Sequence, residues 1–307
     1  MTNSIEVQGL RKSYGDFSLR DINLTVPGGA IMGLIGENGA GKTTTIKCIL
    51  NLIRRDEGTI TLLGHDNQRE ERAAKLEIGV VLDECFFHDS LRPRDIDLIL
   101  SRIYQGWDSA LYQRYLSKFQ LPERKFVKEF SRGMKMKLSL AAALSHRPKL
   151  LILDEATSGL DPIVRDEILD EFLGFIQDDD HAILISSHIL SELSALATHY
   201  AFIDQGRMLE TISAADLRER CRDCLELRVD DAARAARVLE EQLGTRDFEV
   251  LPQERLRLYA FLDQPQTVNR VLMEEGVGLI SAQQKDSNLE DYFLSLIDGH
   301  SAGKEGA

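Results

Sequence analysis

Gly36-Glu37-Asn38-Gly39-Ala40-Gly41-Lys42-Thr43 decides the reading of this chain. The octet fits G-x-x-x-x-G-K-[ST]. It stands between a short apolar run at 31–36 (IMGLIG) and a stretch at 43–53 (TTTIKCILNLI) with helical spacing. Strand, glycine-rich loop and helix, in that order, form the context in which a loop wraps a polyphosphate. The glycines let backbone N–H groups close around phosphate oxygens, and Lys42 brings a compact cation. The Thr43 hydroxyl is a ligand for Mg²⁺, and the positive end of the helix dipole faces the anion. The motif implies a nucleoside triphosphate with Mg²⁺ and leaves open what the energy is used for.

Outward from the loop, residues 5–10 and 17–26 alternate apolar and polar as strands do. Apolar runs recur at 78–82 (IGVVL), 150–153 (LLIL), 182–186 (AILIS) and 200–203 (YAFI), with helical stretches between them. That alternation predicts a parallel sheet covered on both faces. Residues 91–130 are charged and helical in pattern, and read as an inserted helical segment. The run 150–155 ends in two carboxylates. Asp154 is placed to hold Mg²⁺, and Glu155 to polarise a water for attack on a γ-phosphate, which points to hydrolysis and not binding alone.

After Gly206 the pattern changes. Strands are expected at 225–229, 248–251, 255–262 and 277–284, and helices at 231–243 and 266–276. This β-α-β-β-α-β succession is the ferredoxin-like order. A last helix is expected at 289–297, and a disordered tail from Gly299.

Composition bounds the function. The chain has 307 residues, 43% apolar and 28% charged, which fits a globular protein of about two domains. Its net charge of -13 argues against a surface that neutralises nucleic acid, so no nucleic-acid partner is expected. The longest strictly apolar run is five residues, 140–144, far short of the roughly 20 that a membrane span needs. The N-terminus lacks an apolar signal-peptide core. Cys221-x-x-Cys224 has no second cysteine pair or nearby histidine, and reads as two reduced thiols.

Further motifs give the chain a specific resemblance over about residues 4–215. Phe130-Ser131-Arg132-Gly133-Met134 stands where a signature usually written LSGGQ would, Ser158-Gly159-Leu160-Asp161 follows the Asp-Glu pair, and Ser186-Ser187-His188 ends the next strand. With Tyr14 before the second strand, the chain resembles the nucleotide-binding subunit of an ATP-binding cassette (ABC) transporter, of bacterial exporter type. The resemblance implies an α/β fold: a P-loop NTPase of ABC type with a mixed sheet core, an antiparallel β subdomain and a helical subdomain. That domain would occupy 1–215, with the helical subdomain at about 84–145. An α+β ferredoxin-like domain would follow at 222–298, and a disordered tail at 299–307.

It also implies residue roles. ATP would be held by Gly36, Asn38, Gly39, Ala40, Gly41, Lys42, Thr43 and Thr44, with Tyr14 stacked on adenine. Thr43, Asp83 and Asp154 would serve Mg²⁺. Glu155 and His188 would act in hydrolysis. Ser131, Arg132, Gly133 and Met134 would face the ATP of a second subunit, homo- or heterodimeric, across the D-loop Ser158 to Asp161. A separate transmembrane permease would dock near Phe86 and Phe87, unless these two pack inside the helical subdomain. The subunit would be cytoplasmic, peripheral on the inner face of the cell membrane. The alternative is a non-transport ABC-type ATPase acting as a regulatory or interaction protein. Three departures stand out: Asp83 replaces the usual glutamine after the 78–82 strand, Arg132 replaces the signature's first glycine, and Met134 replaces its glutamine.

Overall fold

The computed structural model describes residues 2–178, 180–285 and 289–302. The chain divides into two compact units, Met1–Ala214 and Ala215–Ala307.

The first unit begins with two long strands, β1 (Asn3–Tyr14) and β2 (Phe17–Pro27), then β3 (Ile31–Ile35) and helix α1 (Lys42–Ile49). β4 (Glu57–Leu62), β5 (His65–Asp66), α2 (Glu71–Leu76) and β6 (Ile78–Val81) follow. The charged insert supplies α3 (Pro93–Ile103), α4 (Ser109–Lys118) and α5 (Arg132–Leu144). The chain then alternates through β7 (Leu150–Asp154), α6 (Pro162–Phe175), β8 (Ala182–Ser187), α7 (Leu190–Leu196), β9 (His199–Asp204) and β10 (Arg207–Ser213). Helix α8 (Ala214–Arg220) comes next.

A six-stranded sheet runs β10-β9-β3-β8-β7-β6, parallel except where β10 pairs antiparallel with β9. A four-stranded antiparallel sheet runs β2-β1-β4-β5. One apolar cluster joins the two sheets through α1. It holds Ile5, Val7 and Leu24, then Ile46 and Ile49, then Leu34, Ile152 and Leu184, each buried. β3, β7 and β8 are buried at every residue, as uninterrupted apolar runs require in a sheet covered on both faces. The mixed core, antiparallel subdomain and helical insert of a P-loop NTPase of ABC type are all present.

Three differences from the sequence reading have local causes. α1 ends at Ile49 and not near residue 53, because Asn51 takes a left-handed φ of 53°. β4, β5 and β10 were not expected; they are short or partly exposed strands with weak apolar signals. The 255–262 strand stops at Leu258: one further bond in the β12–β13 register follows, from the Tyr259 amide to Asp247 O, and Phe261 then turns the chain away with φ 59°.

The second unit holds β11 (Cys224–Val229), α9 (Ala232–Gln242), β12 (Phe248–Leu251), β13 (Arg255–Leu258), α10 (Pro265–Glu274), β14 (Leu279–Lys285) and α11 (Leu289–Ala302). Its strands are all antiparallel in the order β12-β13-β11-β14, the ferredoxin-like arrangement. Leu225, Leu227, Leu256 and Leu258 face Ala235 and Leu239 of α9, and Val268 and Leu272 of α10. α11 continues past Gly299 to Ala302, where a disordered tail was expected to have begun; residues 303–307 of that tail lie outside the described residues. Cys224 is buried, and burial pushes its thiol above the usual range, which disfavours redox chemistry with Cys221. Among the described residues no helix is long and apolar enough to cross a membrane.

Gly206, in the β9–β10 turn, ties the phosphate-loop region to β2. Its amide donates to Ala40 O (2.9 Å) and its carbonyl accepts from the Arg20 amide (2.7 Å). Its φ is 74°, and a Cβ there would lie 2.0 Å from Ser18 O. Gly206→Ala is therefore expected to cost the first unit about 2 kcal/mol or more. Denaturant midpoints of the two chains measure it, and an unchanged midpoint would refute the constraint.

Candidate active site

The loop after β3 is held tightly from below. A Cβ at Gly36 would lie 2.3 Å from Ile203 O, so only glycine fits there. Gly41, at φ 116°, brings the loop against Leu19 and Phe17, where a Cβ would sit 2.7 and 3.0 Å from their side chains. Lys42 opens α1 and is 5% exposed. Its Nζ donates to Gly36 O (2.7 Å) and Glu37 O (3.3 Å), and lies 3.4 Å from Glu155 Oε1. The loop thus folds around its own lysine.

Parallel register brings the acids to the same edge. Ile35 of β3 pairs with Ser187 of β8, and Asp154 of β7 pairs with Ser186 of β8. The strand ends of β3, β7 and β8 therefore meet where an open α/β sheet holds its ligand. Asp154 is 1% exposed. Its Oδ1 accepts from Ser186 Oγ at 2.6 Å. Its Oδ2 is buried without a hydrogen-bond partner. Burial holds the Asp154 carboxyl above the usual range, against the lowering effect of Ser186 and Thr43; the charges of Asp83 and Glu155 push the same way as burial.

Glu155 has φ 50°, a left-handed conformation that costs a non-glycine residue on the order of 1 kcal/mol. Ser186 pins it there, because the Glu155 amide donates to both Ser186 O (3.2 Å) and Ser186 Oγ (3.1 Å). The side chain spans two cations or potential cations. Oε1 faces Lys42, and Oε2 lies 2.6 Å from His188 Nδ1.

These groups surround a cleft of about 720 Å³. Asn38, Gly39, Gly41, Lys42, Thr43, Thr44, Asp83, Glu155, Ser158 and His188 line it, as do Glu37, Phe17 and Arg132. Gly36, Ala40 and Asp154 are not among the lining residues, and Ala40 and Asp154 are buried. Tyr14 does not line it. Tyr14 pairs with Phe17 across the β1–β2 hairpin, is 43% exposed, and has the Lys12 ammonium 5.3 Å from its ring centre. Phe17 is the aromatic that the sequence reading passed over, and its position against Gly41 was not visible in the motif spacing. Ser186 was passed over as well, although a hydroxyl paired in register with Asp154 was a signal for it.

The cleft fits Mg²⁺. It offers the Asp83 carboxylate, the Thr43 hydroxyl and the partnerless Asp154 oxygen. Among the described residues no group of three or more His, Cys, Asp or Glu side chains could hold a metal. A few protein oxygens completed by phosphate and water are what Mg²⁺ takes at nucleotide sites.

The signature residues divide. Ser131 caps α5 by accepting from the Met134 amide (3.3 Å). Gly133 allows close approach to α6, where a Cβ would lie 3.3 Å from Val164. Ser131, Gly133 and Met134 do not line the cleft of their own chain, and Arg132 does. In the D-loop, Leu160 is buried, Gly159 has φ 68°, and Asp161 caps α6 by accepting from the Val164 amide at 3.1 Å.

A second, apolar groove of about 610 Å³ is lined by Leu52, Leu82, Phe86, Phe87, Leu100, Tyr104 and His146, among others. Phe86 is 72% exposed and Leu52 54%. His146 stacks on Tyr104 with ring centres 4.2 Å apart, and burial holds its imidazole below the usual range, hence neutral.

The ABC transporter family matches residues 19–158. The bacitracin transport ATP-binding protein BcrA of Bacillus licheniformis is 35% identical over 99% of this chain and its own full length. The daunorubicin/doxorubicin resistance ATP-binding protein DrrA of Streptomyces peucetius is 32% identical over 98% of this chain and 94% of its own. The solved ATP-binding subunit of an ABC transporter is 28% identical, with a TM-score of 0.65, over 70% of this chain and 92% of its own. With its loop, Glu155 and His188 gathered around one cleft, and with relatives of this identity along nearly its whole length, the chain belongs to the ABC transporter family as an ATP-binding subunit.

Proposed function

We propose that this chain binds and hydrolyses ATP to drive a separate transmembrane permease in export, working as a homo- or heterodimer at the inner face of the cell membrane. The observation that carries this reading is Glu155, held between Lys42 and His188 at the mouth of the phosphate-loop cleft. Lys42 and the loop amides take the β- and γ-phosphates. Thr43, Asp83 and Asp154 are the groups suited to Mg²⁺, which when bound supplies charge neutralisation at the phosphate oxygens. Glu155 accepts a proton from water as that water attacks the γ-phosphorus, and the bond to the bridging oxygen breaks to leave ADP and phosphate. His188 orients Glu155 and faces the same phosphate. Tyr14 and Phe17, at the hairpin end, offer an aromatic surface for adenine.

Ser131 and the Gly133 amide, at the start of α5, face the γ-phosphate of the second subunit's ATP, with Met134 behind them and the D-loop residues Ser158, Gly159, Leu160 and Asp161 at the same contact. The apolar groove around Phe86 and Phe87 is the seat for a permease segment. Export fits relatives named for bacitracin transport and for daunorubicin/doxorubicin resistance.

Glu155→Gln is expected to keep ATP affinity, lose turnover by about 100-fold or more, and accumulate as an ATP-bound dimer. ATPase assays with light scattering measure this, and wild-type turnover would refute the role. Ser186→Ala removes the hydroxyl that orients Asp154 and helps pin Glu155, and is expected to lower kcat about 10-fold or more with little change in ATP binding. A purely structural role would instead lower thermal stability while leaving kcat intact. Phe86→Ala with Phe87→Ala should keep ATPase activity in solution but lose co-purification with a membrane protein. Unaltered assembly would count against the groove.

A further inference from the structure

Two of the departures from the family pattern meet in one place. Asp83 puts a carboxylate where an amide is usual, and Arg132 puts a cation where a glycine is usual; both line the cleft of the same chain. Arg132 is the first residue of α5, next to the Ser131 cap, so its backbone direction is fixed by the helix start. Its side chain lies over the D-loop. A Cβ on Gly159 would sit 3.0 Å from a guanidinium nitrogen and 3.2 Å from Cζ, so the glycine makes the seat on which the arginine rests. Among the described residues the guanidinium has no hydrogen bond or ion pair. Lys42, by contrast, is already engaged with loop carbonyls and Glu155. The one cation at the cleft with all its donors free is therefore Arg132.

We infer that Arg132 acts within its own chain as a specificity-determining residue for the triphosphate, binding the terminal phosphate of the nucleotide in its own cleft and offsetting the charge of Asp83. A planar fork of donors suits a terminal phosphate, whose three non-bridging oxygens ATP presents at its γ-position. The β-phosphate of ADP lies one phosphate deeper in the loop. The residue thus discriminates ATP from ADP before any second subunit arrives, unlike Ser131 and Gly133, which do not line their own cleft. The inference rests on reading the cleft as the nucleotide site.

The test is calorimetric titration of the full chain with the Mg²⁺ complexes of a non-hydrolysable ATP analogue and of ADP, at a concentration where sedimentation shows a monomer. Arg132→Gly is expected to weaken the triphosphate analogue about tenfold and ADP less than twofold. Arg132→Lys keeps the charge without the fork and should fall between. Adding Asp83→Gln to Arg132→Gly should recover part of the lost affinity, a non-additivity that a double-mutant cycle reads directly. Equal weakening for both nucleotides, or no change for either, overturns the inference and leaves the nucleotide site standing. A wild-type chain that binds neither nucleotide overturns the reading of the cleft itself.

Discussion

A buried ammonium is the constraint on which the site depends. Lys42 is 5% exposed, and a lone charge at that depth would be strongly destabilising without partners. The chain supplies three: the carbonyls of Gly36 and Glu37, and the carboxylate of Glu155. The first two hold the loop in its phosphate-ready shape. The third places the carboxylate that follows β7 against the same cation, and that carboxylate also reaches His188, 2.6 Å away. Loop shape and carboxylate position are thereby tied to a single charge.

That arrangement demands strand ends in register. β3 delivers the loop, β7 the two acids, and β8 both Ser186 and the chain leading to His188. Ser186 hydrogen-bonds the Asp154 side chain and the Glu155 amide, so one hydroxyl fixes the neighbouring carboxylates to the same strand. The left-handed φ of Glu155 is tolerated because this bracing over-determines it. The buried apolar runs of the sheet are what keep those ends fixed while the cleft between them stays polar.

How much of this could be read beforehand follows from which forces are local. Loop, paired acids and His188 are written as residue type at fixed spacing, and each is positioned by the strand beside it. The second unit's order was legible because each of its strands carries its own apolar pattern. Where a neighbour across space decides, the sequence was silent. β5 and β10 are held by antiparallel partners and not by strong apolar runs of their own. Phe17 reaches the cleft because Gly41, 24 residues later, folds against it. Arg132 could be seen as an added cation, but its direction is set by the room above Gly159, which no pattern near residue 132 encodes. Tyr14, chosen for its position before β2, is held across the hairpin from the aromatic that lines the cleft.

The short segment 82–87 joins two concave surfaces of the first unit. Asp83 lines the nucleotide cleft, while its neighbours Leu82 and Glu84 line the apolar groove with Phe86 and Phe87. Adjacent residues cannot move far apart, so any displacement of Asp83 also displaces the backbone of Leu82 and Glu84 at the groove. A carboxylate at that position differs from an amide in having two acceptor oxygens and no N–H donor, and it lines the same cleft as Arg132 and Lys42. The coupling needs no long path through the core. It follows from one backbone segment that presents a charge to one side and apolar groups to the other.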